Sequence, residues 1–150
     1  VFLSDGSPIN PSGPAWVDYG LGDFLRRLAD EDSWKSLPYV TPQLAGMSAD
    51  TLLTLAADND GKHKVPSLRN VDKRQGGRLT KAYMHNGVFK SLKEIVHFYN
   101  TRDVENWPPP EVPANVNTDE LGNLGLTDEE ENAIVEFMKT LTDGYEVPEG

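Results

Sequence analysis

The sequence contains no cysteine among its 150 residues. Disulfides, thiolate catalysis and cysteine-based zinc sites are therefore excluded for these residues, while the absence says little about the cellular compartment. Long apolar runs are also missing, since no stretch approaches the roughly 18 apolar residues that a membrane-spanning helix needs. Residues 1–13 show neither the basic nor the apolar region of a signal peptide, and a mature exported protein would look the same.

Positive charge is scarce as well. Lys and Arg total 14 against 24 Asp and Glu, which gives a formal net charge of −10. Nucleic acid and anionic membrane surfaces are disfavoured as partners, because both require an excess of cations. An acidic surface could instead attract a basic partner protein, although a merely solvated surface explains the same composition.

Three common kinds of functional site have no support in the sequence. The histidines His63, His85 and His97 form no i, i+4 pair on a helix, which excludes a zincin-type metal site. There is no G-x-S-x-G motif of a serine nucleophile, and no phosphate-binding glycine pattern precedes a helix. Hydrolase and nucleotide-binding functions are therefore not indicated.

The sequence does contain short amphipathic helices separated by long loops. We expect a single domain over residues 1–150, because this length suits one buried core. The 11 prolines and 13 glycines predict much irregular chain, beginning with a loop over residues 1–20. Residues 106–117 contain three consecutive prolines and predict a second, extended loop.

Two helices are predicted in the first half of the chain. Residues 20–30 place four apolar side chains on one helical face, namely Leu21, Phe24, Leu25 and Leu28. Residues 47–58 predict a helix that Ser48 caps. Its side chains for burial are Leu52, Leu53 and Leu55.

Two further helices begin with capping boxes. Ser91 and Glu94 start one, whose apolar stripe consists of Leu92, Ile95, Val96 and Tyr99. Thr127 and Glu130 start the other, which Gly144 ends and which turns inward Ile134, Phe137, Met138 and Leu141. Because no run shows convincing strand alternation, the predicted fold class is all-α with long loops.

Three segments, taken together, carry a family resemblance: KVPSLRN (64–70), AYMHNGVFKSLKEIVHFYN (82–100) and LGLTDEEENAIVEFMKTLTDG (124–144). Their order and spacing resemble the C-terminal haem domain of bacterial dihaem cytochrome c peroxidases and MauG-like enzymes. The match is best over residues 64–144 and looser over residues 15–25. The resemblance implies a cytochrome c-like helical domain, haem c as cofactor, and a periplasmic or otherwise exported bacterial protein.

The sequence departs from this family at the haem attachment motif. In the family a C-x-x-C-H segment holds the haem covalently and lies shortly before the part that begins here at Val1. No cysteine is present in these residues. Either a separate polypeptide supplies the haem, or the chain is a piece of a longer one, or the haem has been lost.

The resemblance places Tyr99 at the position of the distal haem ligand, as in the MauG-like branch. A hard phenolate oxygen favours Fe(III), whereas a methionine thioether favours Fe(II). Met84 is the competing axial ligand, or else a residue that packs on the haem edge. A third alternative is that neither binds iron, since an aromatic residue at helical spacing usually belongs to a core.

Other residues are expected around the same haem. Arg69 suits a haem propionate, because its guanidinium can bind a carboxylate with two hydrogen bonds; a surface salt bridge is the alternative. His85 is expected to hydrogen-bond a turn at Asn86-Gly87 rather than to bind iron. The apolar residues expected to wall a haem cleft, or simply to form core, are Pro66, Leu68, Tyr83, Phe89, Leu92 and Val96.

The calcium site of the family is weakened in this sequence. In the family, carbonyls of a T-A-P segment before the loop help to bind calcium between two haem domains. Here the matching residues are Thr80, Lys81 and Ala82. The lost proline and the added ammonium group both argue against calcium.

Two functions follow as hypotheses. The first is a redox protein, peroxidase-like or a pure electron carrier, whose partners are a C-x-x-C-H haem polypeptide or segment and a basic redox protein. The second is a haem-free acidic interaction subunit of a larger complex. Retained Arg69, Tyr83 and Tyr99 favour the first, and the absent C-x-x-C-H favours the second.

Overall fold

The computed structural model describes residues 17–73 and 82–147. Within these ranges six helices are present: α1 (Leu21–Asp30), α2 (Asp32–Lys35), α3 (Pro42–Ala45), α4 (Ala49–Asp58), α5 (Leu92–Thr101) and α6 (Asp128–Thr140). Over the same ranges, strand-like pairing is limited to an isolated antiparallel bridge between Tyr83 and Phe89. The predicted all-α class is therefore confirmed.

The described residues divide into two compact units. The α1–α4 unit contains residues 17–65 and 108–116, and the α5–α6 unit contains residues 66–73, 82–107 and 117–147. The expectation of a single domain stays a prediction. No described helix is both long enough and apolar enough to cross a membrane.

The core of the α1–α4 unit forms where α1 packs against α4. The largest fully buried side chains are Leu28 of α1 and Leu52 of α4; Ala56 is fully buried as well, and Leu25 is buried beside them. As predicted, Ser48 caps α4, because its side chain accepts a hydrogen bond from the backbone of Thr51. Apolar periodicity therefore located both helices correctly.

Two predictions about this core are wrong. Leu53 is 49% exposed and Leu21 is 40% exposed, so each lies outside the buried stripe of its helix. The short helices α2 and α3 were not predicted, because four residues are too few to show an apolar period. Thr41 and Pro42 at the start of α3 were the available signal, since threonine caps and proline opens a helix.

In the α5–α6 unit both predicted capping boxes are present. The Ser91 and Thr127 side chains each accept a backbone hydrogen bond, from Glu94 and Glu130 respectively, and each glutamate side chain reaches back to the cap backbone. The buried apolar side chains of the unit are Tyr83, Leu92, Val96 and Met138.

The inward face of α6 differs from the prediction. Phe137 is 60% exposed and Ile134 is 38% exposed, whereas Glu131 and Met138 are buried and Val135 packs against the core. Glu131, Val135 and Met138 lie at positions i, i+4 and i+7, so they share one face of α6, and this face packs against α5. The physical reason is a set of polar partners that Glu131 finds on α5, described below.

Candidate functional site

The loop between Tyr83 and Phe89 is closed at both ends. The Tyr83 backbone N–H donates to the Phe89 carbonyl at 2.9 Å. The Tyr83 ring is buried, and its hydroxyl donates to the Val71 carbonyl at 3.2 Å. This anchoring gives the short loop a defined shape.

Two residues of this loop have left-handed backbone. Gly87 has φ 67°, as predicted for the turn after His85-Asn86, and its N–H donates to the Met84 carbonyl at 3.1 Å. Met84 itself has φ 64°, which is costly for a residue with a side chain. His85 is exposed. The turn therefore fixes the direction in which Met84 leaves the backbone.

The two candidate iron ligands meet at this loop. The Tyr99 hydroxyl of α5 donates to the Met84 sulfur, with 3.8 Å between Oη and Sδ, and both side chains are half-buried. Tyr99 and Met84 are far enough apart in sequence that only the loop conformation brings them together. A phenol oxygen and a thioether sulfur, both possible iron ligands, thus occupy one place.

An aromatic cluster lies beside Tyr99. Phe98 and Trp107 are edge to face at 5.2 Å between ring centroids, and Phe89 lies 5.3 Å from Phe98 and 5.9 Å from Trp107. The Trp107 indole N–H donates to the Thr101 hydroxyl at 3.1 Å. These rings give the Tyr99 end of α5 a rigid apolar flank.

The residues expected to wall a haem cleft occupy different environments. Leu92, Val96 and Tyr83 are buried in the core together with Met138, and Phe89 packs against it from a partly buried position. Pro66 and Leu68 are exposed. Helix α6 therefore covers part of the apolar stripe of α5 that the sequence had suggested for a cofactor.

Arg69 is bound to a carboxylate of its own chain. Its Nε and Nη2 atoms each lie 3.1 Å from an oxygen of Asp143, and Asn70 donates to the same carboxylate at 2.9 Å. The Arg69 side chain is 73% exposed. This fork geometry is the one predicted for a propionate, with Asp143 in its place.

A buried carboxylate ties α6 to α5. Glu131 is 2% exposed, and its oxygens accept hydrogen bonds from Asn100 at 2.7 Å, from His97 at 2.9 Å and from Lys93 at 2.9 Å. Burial alone would raise the pKa of Glu131, but these three partners outweigh it and lower the pKa to about 2. Glu131 is therefore held ionised by α5.

His97 lies between two carboxylates. Besides Glu131, it contacts Glu105 at 3.3 Å through its other ring nitrogen. The hydrogen bond with Glu131 raises the pKa of His97 above its ordinary value.

Sequence reasoning missed both Glu131 and Asn100. Asn100 is buried, donates to the Leu126 carbonyl at 3.0 Å and accepts from the Leu126 N–H at 3.0 Å. The available signal was a pair of opposite charges, Lys93 on one helix and Glu131 on the other. The acidic residues 128–131 suit the positive end of the helix dipole, so the run alone gave no sign that Glu131 has partners on another helix.

The residues compared with a calcium site cannot all be placed. Thr80 and Lys81 lie outside the described residues, and Ala82 is exposed. The expectation that calcium is disfavoured stays a prediction.

The chain is similar in sequence to three curated proteins with related names. It is 42% identical over 96 residues to the methylamine utilization protein MauG of Paracoccus denitrificans (strain Pd 1222), covering 55% of this chain and 23% of MauG. It is 38% identical over 82 residues to the cytochrome-c peroxidase IdrP1 of Denitromonas iodatirespirans, covering 55% and 18%. It is 34% identical over 82 residues to IdrP2 of Pseudomonas sp. (strain SCT), covering 55% and 17%.

The matches cover only part of this chain and a smaller part of each relative. No protein-family model matches the chain, and no solved structure matches it significantly. The chain spans 17% to 23% of the length of these curated relatives. Over about half of its own length, it is related to the MauG-like and cytochrome c peroxidase family.

Proposed function

We propose that this chain forms the distal side of a c-type haem pocket in a redox protein of the MauG-like or peroxidase type. The observation that carries the proposal is the meeting of Tyr99 Oη and Met84 Sδ at 3.8 Å beside an aromatic flank. The names of the relatives, MauG and cytochrome-c peroxidase, support the same chemistry.

Tyr99 is the proposed axial ligand of the haem iron, and Met84 is the alternative. The donor set fits haem iron, because phenol oxygen and thioether sulfur are both ligands found in haem proteins. When bound, the haem would supply the one-electron and peroxide chemistry. The residues of this chain would orient the ligand, and the rings of Phe89 and Phe98 would limit the access of water.

The haem would be held covalently by a C-x-x-C-H motif outside these residues, on another segment or another polypeptide. Arg69 is the proposed propionate partner. Its pair with Asp143 is exposed, and exposed ion pairs are weak enough to exchange. A propionate would then replace the Asp143 carboxylate in the same fork.

Two further proposals concern the redox partner, from the net charge, and the location, from the kind of haem protein. A redox partner would be basic, because the chain carries a net charge of −10. The location would be the periplasm or another exported compartment of a bacterium, where c-type haem proteins of this kind operate.

An absorption spectrum of the natively purified protein tests this function. A Soret band with sharp α and β bands after reduction is expected. A folded protein that shows none of these bands, although it was purified under conditions that keep its partner polypeptides bound, would contradict it.

The second candidate function is a haem-free acidic interaction subunit. Two observations favour it: Met138 and Val135 of α6 pack against Leu92 and Val96, and Arg69 is already paired. The same spectrum separates the two functions, because this one predicts no haem bands.

A further inference from the structure

We infer that Met84 is a positioning residue for Tyr99: its thioether sulfur accepts the phenolic hydrogen and fixes where the Tyr99 oxygen lies. The inference deepens the proposed function and rests on it where iron is concerned. The contact between the two side chains is independent of any cofactor.

The direction of the hydrogen bond follows from the groups themselves. A thioether can accept a hydrogen bond but has no proton to donate, so Tyr99 is the donor across the 3.8 Å between Oη and Sδ. A sulfur acceptor lies farther from its donor than an oxygen does, because sulfur is larger. In this contact Met84 is therefore only the acceptor, and it sets the direction in which the Tyr99 hydroxyl points.

The backbone conformation of Met84 supports a positioning role for its side chain. Left-handed φ is ordinary for glycine and tolerated by asparagine, but for Met84 the φ of 64° has an energetic cost, because the Cβ atom is crowded there. Two hydrogen bonds maintain it, from Gly87 N–H to the Met84 carbonyl and from Tyr83 N–H to the Phe89 carbonyl. A loop that holds Met84 in this conformation fixes the direction of its Cα–Cβ bond, and the contact with Tyr99 locates its sulfur.

The chemistry of a thioether suits a neighbour of a metal-binding phenol. Since the Met84 side chain has no N–H or O–H group, it cannot donate to the Tyr99 oxygen. Met84 accepts the phenolic hydrogen only while no metal is bound: as a phenolate ligand Tyr99 would release that proton to solvent, and the half-buried methionine would then limit contact of its oxygen with water. A glutamine at the same place would accept the phenolic hydrogen too, but its amide would also donate to the oxygen.

The first test uses the chain alone, labelled with 3-fluorotyrosine and observed by ¹⁹F NMR. Tyr99→Phe identifies the Tyr99 signal among those of the five tyrosines. In Met84→Leu we expect this signal to shift and the population of the preferred ring orientation, relative to the others, to fall about 2- to 12-fold. Met84→Gln should restore the ordered signal, and Met47→Leu, in the α1–α4 unit, should leave it unchanged.

The second test uses the haem-containing protein and measures its midpoint potential. Met84→Gln is expected to raise the potential, because its amide N–H would draw charge from the Tyr99 oxygen. Met84→Leu removes the orienting sulfur but adds no donor, so it should keep tyrosine ligation, shift the potential less than Met84→Gln does, and raise the fraction of iron that binds cyanide. A merely structural role would not separate these two variants.

The outcomes distinguish this inference from the proposed function. An unchanged Tyr99 signal in Met84→Leu overturns the positioning role, whatever the haem spectra show. Loss of the sixth iron ligand in Met84→Leu, with its retention in Tyr99→Phe, also overturns it and makes Met84 the ligand. A haem-free native protein overturns the proposed function, while the ¹⁹F signals still decide whether Met84 orders Tyr99.

Discussion

Leu52 and Leu53 are neighbours in α4, yet only Leu52 is fully buried. Leu52 packs with Leu25 and Leu28 of α1, whereas Leu53 is 49% exposed. A step of one residue along a helix turns a side chain by about 100°, which is enough to move it from the core to the surface. Composition cannot make this distinction, and three leucines within four residues blur the period.

The two leucines provide a matched pair of variants. Leu52→Ala should lower the free energy of unfolding by about 2–5 kcal/mol, since it leaves a cavity in the core. Leu53→Ala should change it by less than about 0.5 kcal/mol. Urea denaturation of each variant measures both values. Equal losses in the two variants would show that the buried face of α4 has been misassigned.

The pKa values of Glu131 and His97 predict how the stability of the fold depends on pH. Its pKa is lowered from 4.5 to about 2, so its contribution to stability is complete above pH 4.5 and is lost as the pH falls toward 2. His97 has a pKa raised above 6.5, so its contribution is complete below pH 6.5 and is lost as the pH rises through the raised value. The network should therefore stabilise the fold most between pH 4.5 and 6.5.

Urea midpoints measured across this range test the network. Glu131→Gln should lower the unfolding free energy at pH 6 by about 1–3 kcal/mol and make the acid side of the profile less steep. The acid side should not vanish, because Asp60 and Asp143 also have lowered pKa values. Glu129→Gln, exposed on the same helix, is the control. An unchanged profile in Glu131→Gln would remove the network from the account.

At the scale of elements, the helix starts depend on local contacts that a single side chain can test. Thr127→Ala should cost about 1 kcal/mol, because the backbone N–H of Glu130 loses its acceptor. Thr127→Ser keeps the hydroxyl and should cost much less. Thermal unfolding followed by circular dichroism compares the two. A loss in the serine variant as large as that in alanine would mean that the methyl group, not the cap, matters.

Features of the helices that depend on interactions within one turn were predicted from the sequence, and features that depend on another helix were not. Both capping boxes and the positive φ at Gly87 were predicted correctly, since each depends on residues within one turn. The inward face of α6 was not, because it depends on Lys93 and His97 of another helix. The candidate site divides in the same way: the family resemblance pointed to Tyr99 and residue type to Met84 as the competing ligand, but their contact depends on the unusual backbone of Met84.

The chain as a whole is all-α, has a net charge of −10 and matches its sequence relatives over 55% of its length. The chain spans only 17% to 23% of the length of the relatives described above. In the proposed function, a C-x-x-C-H motif outside these residues would hold the haem, because these residues contain no cysteine. The α5–α6 unit contributes the side chains that would face the iron.

The most direct measurement is the electron paramagnetic resonance spectrum of the ferric, haem-containing protein and its Tyr99→Phe variant. Six-coordinate low-spin iron is expected in the unmodified protein and in Met84→Leu. In Tyr99→Phe the sixth position should open, giving high-spin iron that binds cyanide. A low-spin, six-coordinate signal that survives in Tyr99→Phe would contradict the assignment of Tyr99 as the iron ligand.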